Sequence, residues 1–165
     1  MRTEPQILEP EPCGPESGDI ADGAHRYPLR VYYEDTDVGG VVYYANYLRY
    51  AERARTEMLR AVGYAPRRLK DEHGIEFAVH RCEVDYLRPA RLDDALCVVT
   101  GNIELEAASL WADQVVRRGT DDLVRLRLRL ACLGADGRPS RLPQNLRAAL
   151  APLARTDRAT TGNRG

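Results

Sequence analysis

From Leu29 to Glu34 apolar and polar residues alternate: Leu29, Val31 and Tyr33 against Arg30, Tyr32 and Glu34. A period of two predicts a strand. The pattern breaks at Asp35-Thr36-Asp37-Val38-Gly39-Gly40, a turn-rich segment, and a short apolar run from Val41 to Tyr44 follows. The spacing then changes to three and four. Tyr47, Tyr50, Ala51, Ala54, Met58, Ala61 and Val62 form one stripe, and Arg49, Glu52, Arg53, Arg55, Glu57 and Arg60 fill the opposite side. That spacing predicts one long amphipathic helix. Asn46 is its expected N-cap, and Gly63 its expected C′ residue with positive φ. A shorter helical stretch over 65–71 is closed by His73-Gly74.

Period two then returns. Ile75, Phe77 and Val79 share one phase and Cys82, Val84 and Tyr86 the other, which predicts a bulge near His80-Arg81. Two further strands are expected over 95–106 and 109–118. In the next run Val124, Leu126, Leu128, Leu130 and Cys132 alternate with Arg125, Arg127 and Arg129, so one face is buried and the other wet. Gly134–Gly137 is a turn, and 142–153 a short closing helix. One strand, one long helix and then consecutive strands predict an α+β domain with an antiparallel sheet. A single helix covers one face of such a sheet and leaves its edges open, which points to a two-fold partner subunit.

Composition narrows the possibilities. Apolar residues make up 44% of the 165, enough for a real core, and 24 basic against 25 acidic residues leave a net charge of -1. That balance gives no general attraction to nucleic acid or anionic membrane. Residues 1–25 are rich in Pro, Glu and Gly and are expected to form a disordered tail, as are 154–165, leaving 26–153 as the folded domain. Neither a signal-peptide core nor a run of about 20 apolar residues is present, so the expected location is cytoplasmic, without membrane insertion. Cys13, Cys82, Cys97 and Cys132 form no CxxC pair, and His25, His73 and His80 have no metal-ligand spacing. No metal and no cofactor is therefore expected.

The candidate chemistry lies in the Gly-rich break. Asp37 follows a strand and precedes the helix start by nine residues. A carboxylate there can act as general base or nucleophile, and Gly39 and Gly40 allow a ligand to approach the backbone. Tyr44-Ala45-Asn46 lead into the helix, whose free amides favour developing negative charge. Spacing alone does not separate Asp37 from Asp35. Glu52 and Glu57, on the helix, are expected to make surface ion pairs, Glu52 with Arg49 or Arg55 and Glu57 with Arg53 or Arg60.

The run VYYEDTDVGGVVYYANYLRYAERARTEMLR, Val31 to Arg60, resembles the hotdog-fold thioesterases of the 4-hydroxybenzoyl-CoA thioesterase type. With PARLDD, Pro89 to Asp94, it looks nearest to the branch associated with the bacterial Tol–Pal envelope system. The resemblance covers about Tyr27 to Gly137. It implies a five- or six-stranded antiparallel sheet wrapped around one long helix, with active sites between subunits of a homodimer or homotetramer. It implies hydrolysis of an acyl thioester to free acid and CoA, with Asp37 as the catalytic carboxylate and the Tyr44 amide as oxyanion donor. Gly40, Asn46 and Tyr47 fall beside the substrate by the same correspondence. Many members of the Tol–Pal branch carry His in place of Tyr44, a change that a backbone role tolerates. The link that supplies CoA-phosphate contacts in the hydroxybenzoyl-CoA enzyme is here Glu104-Leu105-Glu106-Ala107-Ala108-Ser109, without a base. Arg117, Arg118 or the Arg88/Arg91 pair are the substitutes, and an acyl carrier protein stays open as thiol carrier. The other reading is a non-catalytic module that binds acyl-CoA or acyl carrier protein at the cell envelope.

Overall fold

The computed structural model of the chain describes residues 17–155; the expected tails over 1–16 and 156–165 lie outside them. Six strands form one antiparallel sheet: β1 (Asp19–Ala21), β2 (Ala24–Arg30), β3 (Ile75–Tyr86), β4 (Ala95–Leu105), β5 (Ser109–Arg118) and β6 (Asp121–Gly134). Their order across the sheet is β1-β2-β4-β5-β6-β3. Helix α1 (Asn46–Ala61) packs against β2, β4 and β5, α2 (Pro66–His73) leads into β3, and α3 (Gln144–Leu150) closes the chain. This is the hotdog arrangement, with six strands.

The helical stripe is buried as its spacing predicts from Tyr47 to Met58, but Ala61 is exposed, and Arg55 and Glu57, expected on the polar side, are buried. Tyr47, Tyr50, Ala51, Ala54 and Met58 are buried on the sheet. The N-terminal half of α1 shares a core with Val98, Val116, Leu126 and Leu128, and its C-terminal half one with Leu69, Leu110, Leu146 and Leu153. Gly63, at φ +88°, ends the helix as expected. Its amide donates to the Arg60 carbonyl and that of Tyr64 to Leu59, the paired bonds of a Schellman cap. Asn46 is not the N-cap. It is the first helical residue, and its Nδ2 donates to the Asp35 carbonyl at 2.8 Å. The bulge in β3 lies where the phase changes, between Val79 and Arg81.

Three boundaries differ from expectation. The fold begins before residue 26, because β1 and β2 form a hairpin in which His25 is fully buried, its Nε2 2.7 Å from the Ser17 carbonyl oxygen. At the other end Ala154 bridges to Ile103, and the Arg155 amide donates to the Ile103 carbonyl. The strand predicted over 29–34 stops at Arg30, whose partner Ala95 begins β4; Tyr33–Asp35 form a 3-10 turn instead.

The arginine face of β6 is laced with ion pairs: Arg125 to Asp122, Arg127 to Glu104 and Asp113, and Arg129 to Glu106. Trp111 lies beneath Arg127 at 5.1 Å. Solvent screens such pairs, so they add solubility more than stability. Among the described residues the outer edge of β3 pairs with nothing, and residues 78–83 along it are exposed.

Candidate active site

The segment between β2 and α1 is held by its own backbone. Val31 exchanges hydrogen bonds with Asp93 and Asp94, Val42 donates to Ala90, and Thr36 bridges to Val42. Within that frame the Gly40 amide donates to the Asp37 carbonyl, and the Asp37 amide to the Val41 carbonyl. Gly40 takes φ +74°, closing a three-residue loop of the type-I-plus-bulge kind.

The structure separates the two aspartates that spacing left equivalent. Asp35 is buried, and its Oδ2 accepts the Tyr32 amide at 2.8 Å. Its carbonyl accepts both the Tyr43 amide and the Asn46 side chain, so Asp35 ties the loop to the helix. Asp37 is exposed; its Oδ1 accepts the Gly39 amide at 2.8 Å, and its Oδ2 has no partner among the described residues. Asp35→Ala leaves the Tyr32 amide without its acceptor and should cost about 1–3 kcal/mol in urea unfolding. Asp37→Ala should leave the urea midpoint close to wild type.

The Tyr44 amide donates to no acceptor among the described residues. Its carbonyl accepts the Tyr86 hydroxyl at 3.1 Å, and the exposed Tyr44 ring leans on Tyr43 and Tyr86. Tyr86 stands 42 residues away at the end of a strand, and no local feature of the sequence assigns it to this site. Val42, Tyr44, Tyr47, Tyr86, Arg88 and Pro89 border a shallow groove of about 290 Å³ at this helix end.

Of the residues expected to touch substrate, Gly40 opens on free space. Asn46 is buried with its amide on Asp35, and the buried Tyr47 hydroxyl accepts the Ala90 amide at 2.8 Å. Their polar groups are engaged inside the protein, and Tyr47 offers the groove only its ring. Burial pushes the Tyr47 hydroxyl pKa up and that of Tyr50 much further, the latter helped by the Asp35 carboxylate beside it. Both hydroxyls therefore stay protonated.

Among the candidate cations, Arg117 is paired with Asp122 at 2.7 Å and Arg118 with Asp94 at 2.8 Å. Burial would raise the Asp94 pKa, but the Arg91 amide and the Arg118 guanidinium outweigh it and hold the carboxyl below the usual range. The side chains of Arg88 and Arg91 make no ion pair among the described residues, and Arg88 lies on the groove itself. Glu57 pairs with Arg60 as expected, whereas Glu52 accepts the Thr56 hydroxyl at 3.0 Å and pairs with neither Arg49 nor Arg55. His73 stacks near Tyr64, and His80 is exposed at the bulge. Among the described residues no cluster of His, Cys, Asp and Glu is arranged to hold a metal.

A carboxylate with one unpartnered oxygen, in the loop that leads to a helix start with an unengaged amide, supplies the minimum groups for acyl transfer. Sequence and structure comparisons agree with that chemistry. The family model described as thioesterase-like superfamily matches residues 31–150. The acyl-CoA thioesterase YbgC of Haemophilus influenzae is 40% identical over 131 residues, 79% of this chain and 96% of that protein. A probable thioesterase from Bartonella henselae superposes with a TM-score of 0.69 at 36% identity, covering 73% of this chain and 99% of that one. A thioesterase from Thermus thermophilus, solved with coenzyme A and zinc, gives a TM-score of 0.68 at 31% identity, covering 79% of this chain and 93% of that one.

Proposed function

This chain belongs to the thioesterase-like superfamily, and on that basis we propose that it hydrolyses acyl-CoA thioesters, using Asp37 as its reactive carboxylate. The observation that carries the reading is the contrast within the DxD motif: one carboxylate is consumed in structure and the other is presented free in the loop that feeds the helix. Water and thioester give free acid and CoA thiol. The Asp37 carboxylate either takes a proton from the attacking water or attacks the carbonyl itself to form an anhydride that water then opens. In both routes the carbonyl oxygen gains charge, and the Tyr44 amide with the helix dipole behind it stabilises that charge. The thiolate leaves and is protonated by solvent.

Of the four candidate arginines, Arg88 and Arg91 are without ion pairs among the described residues and are the ones to meet the phosphates of the thiol carrier, CoA or an acyl carrier protein. The unpaired edge of β3 supports a homodimer, or a homotetramer built from it, with the site at the subunit boundary. Among the described residues no helix is long and apolar enough to cross a membrane; the resemblance carried by Val31–Arg60 and Pro89–Asp94 supports a cytoplasmic enzyme serving the Tol–Pal envelope system.

The test is free-thiol release by purified protein over a panel of aliphatic and aromatic acyl-CoAs. Turnover of at least one is expected. Binding without release from any of them would favour the non-catalytic acyl-CoA or carrier-protein module. Because the oxyanion donor is a backbone amide, Tyr44→Phe should keep kcat within a few-fold of wild type, whereas losing a true oxyanion donor costs about 10²–10³-fold. A loss of that size in Tyr44→Phe would move the role to the hydroxyl.

A further inference from the structure

A second and larger cavity, about 670 Å³, opens between α1, α2 and the inner face of the sheet. Met58, Leu59, Leu69, Phe77, Leu110 and Leu130 give it an apolar wall. One buried charge, Arg55, is set into that wall, with the exposed Glu52 one turn earlier. Arg55 is only 9% exposed, and its one hydrogen bond is from Nη1 to Gln114 Oε1 at 2.7 Å. Gln114 is fully buried and held from behind, its Nε2 donating to the Ala51 carbonyl at 3.0 Å and to Thr100 Oγ1 at 2.9 Å. The guanidinium is therefore oriented by a built scaffold and keeps unused donors.

No carboxylate lies within 4 Å of Arg55 among the described residues. Glu52, one turn earlier, acts on it at longer range, and one of its two carboxylate oxygens accepts the Thr56 hydroxyl. At the mouth Arg67 and Lys70 are balanced by Asp71 and Glu76. Burial lowers the Arg55 pKa, yet a guanidinium stays charged at any physiological pH. A buried cation with no carboxylate in contact is costly, and the cost falls when a bound anion supplies a closer counter-charge.

We propose that this cavity binds a carboxylate carried on an apolar body, with Arg55 as its anchor. The chemistry has two sources: a free carboxylic acid, or the far end of a dicarboxylic acyl group on a thioester. Arg55 stands nine residues beyond Asn46, about 14 Å along the helix, so within one chain the anchor is set well apart from the Asp37 loop. The thioester source rests on the hydrolase reading above; the free-acid source does not.

Titration calorimetry on the full chain with octanoate and its neutral counterpart octanamide tests the anchor. Octanoate is expected to bind at least about tenfold tighter, the value of a charge-assisted bond. Arg55→Met should abolish that preference; should the variant fail to fold, the wild-type comparison decides alone. Equal affinities in the wild type, or a preference that survives in a folded Arg55→Met, overturn the proposal. Comparing kcat/KM for suberyl-CoA and octanoyl-CoA separates the sources. A suberyl preference lost in Arg55→Met assigns the acyl end, and octanoate binding without such a preference assigns the free acid. Failure to hydrolyse either thioester would count against the Asp37 reading and leave the calorimetric result standing.

Discussion

Replacing Asp37 with asparagine should leave a folded protein that releases thiol from acyl-CoA at least about 10²-fold more slowly, the usual loss for a base or nucleophile. Asparagine has the same shape, and its Oδ1 can still accept the Gly39 amide that Asp37 accepts at 2.8 Å. The loop is therefore preserved while the negative charge and the basic oxygen are removed. Because the side chain is exposed, stability should change by less than about 0.5 kcal/mol. The two measurements are thiol release under saturating substrate and the urea midpoint. A slow enzyme with an unchanged midpoint isolates a chemical role. Near wild-type turnover would remove Asp37 from the reaction and turn attention to Glu52 on the wall of the larger cavity.

Gln114→Leu should produce the largest loss of stability among the polar positions, about 3 kcal/mol. Leucine fills nearly the same volume, so no cavity is created. The change strips the Arg55 guanidinium of its one hydrogen bond among the described residues, and takes a donor from the Ala51 carbonyl and from the Thr100 hydroxyl. A buried cation loses its partner, a more severe change than the loss of a neutral bond. In a domain of this size the melting temperature should fall by roughly 10 °C. Adding Arg55→Met to Gln114→Leu removes the stranded charge and should recover part of the loss, since apolar replacement of both members is commonly tolerated. Equal destabilisation in the single and double variants would mean that the charge is not what makes Gln114 important.

Periodic features were legible before any coordinates. The three-four stripe from Tyr47 to Met58, the glycine exit at Gly63 and the phase change at His80 each have a local cause and appear where expected. Features set by distant pairing were not legible. Alternation continues past Arg30 into Tyr33, but backbone pairing ends with Val31, on Asp93 and Asp94; the Tyr32 amide then donates to the Asp35 carboxylate and the chain turns. The β1–β2 hairpin was hidden by a Pro-, Glu- and Gly-rich composition, and what holds it is the buried His25 and the pairing with β4. The DxD motif located the candidate site, but only hydrogen-bond partners distinguish Asp35 from Asp37. Tyr86 and the Arg55–Gln114 pair join residues 42 and 59 positions apart, and nothing local announces them.

The bulge in β3 also bears on how the protein avoids bad company. Val79 faces Leu130 and Arg81 faces Arg129, so His80 is the residue left over. Deleting it would heal the ladder without turning any later side chain to the wrong face. It would also leave the other eleven of the strand's twelve residues as one unbroken open edge. A long regular edge accepts almost any extended chain in almost any alignment, whereas a kinked one accepts few. His80 thus acts on solubility and on the choice of alignment, although it pairs with nothing in its own sheet.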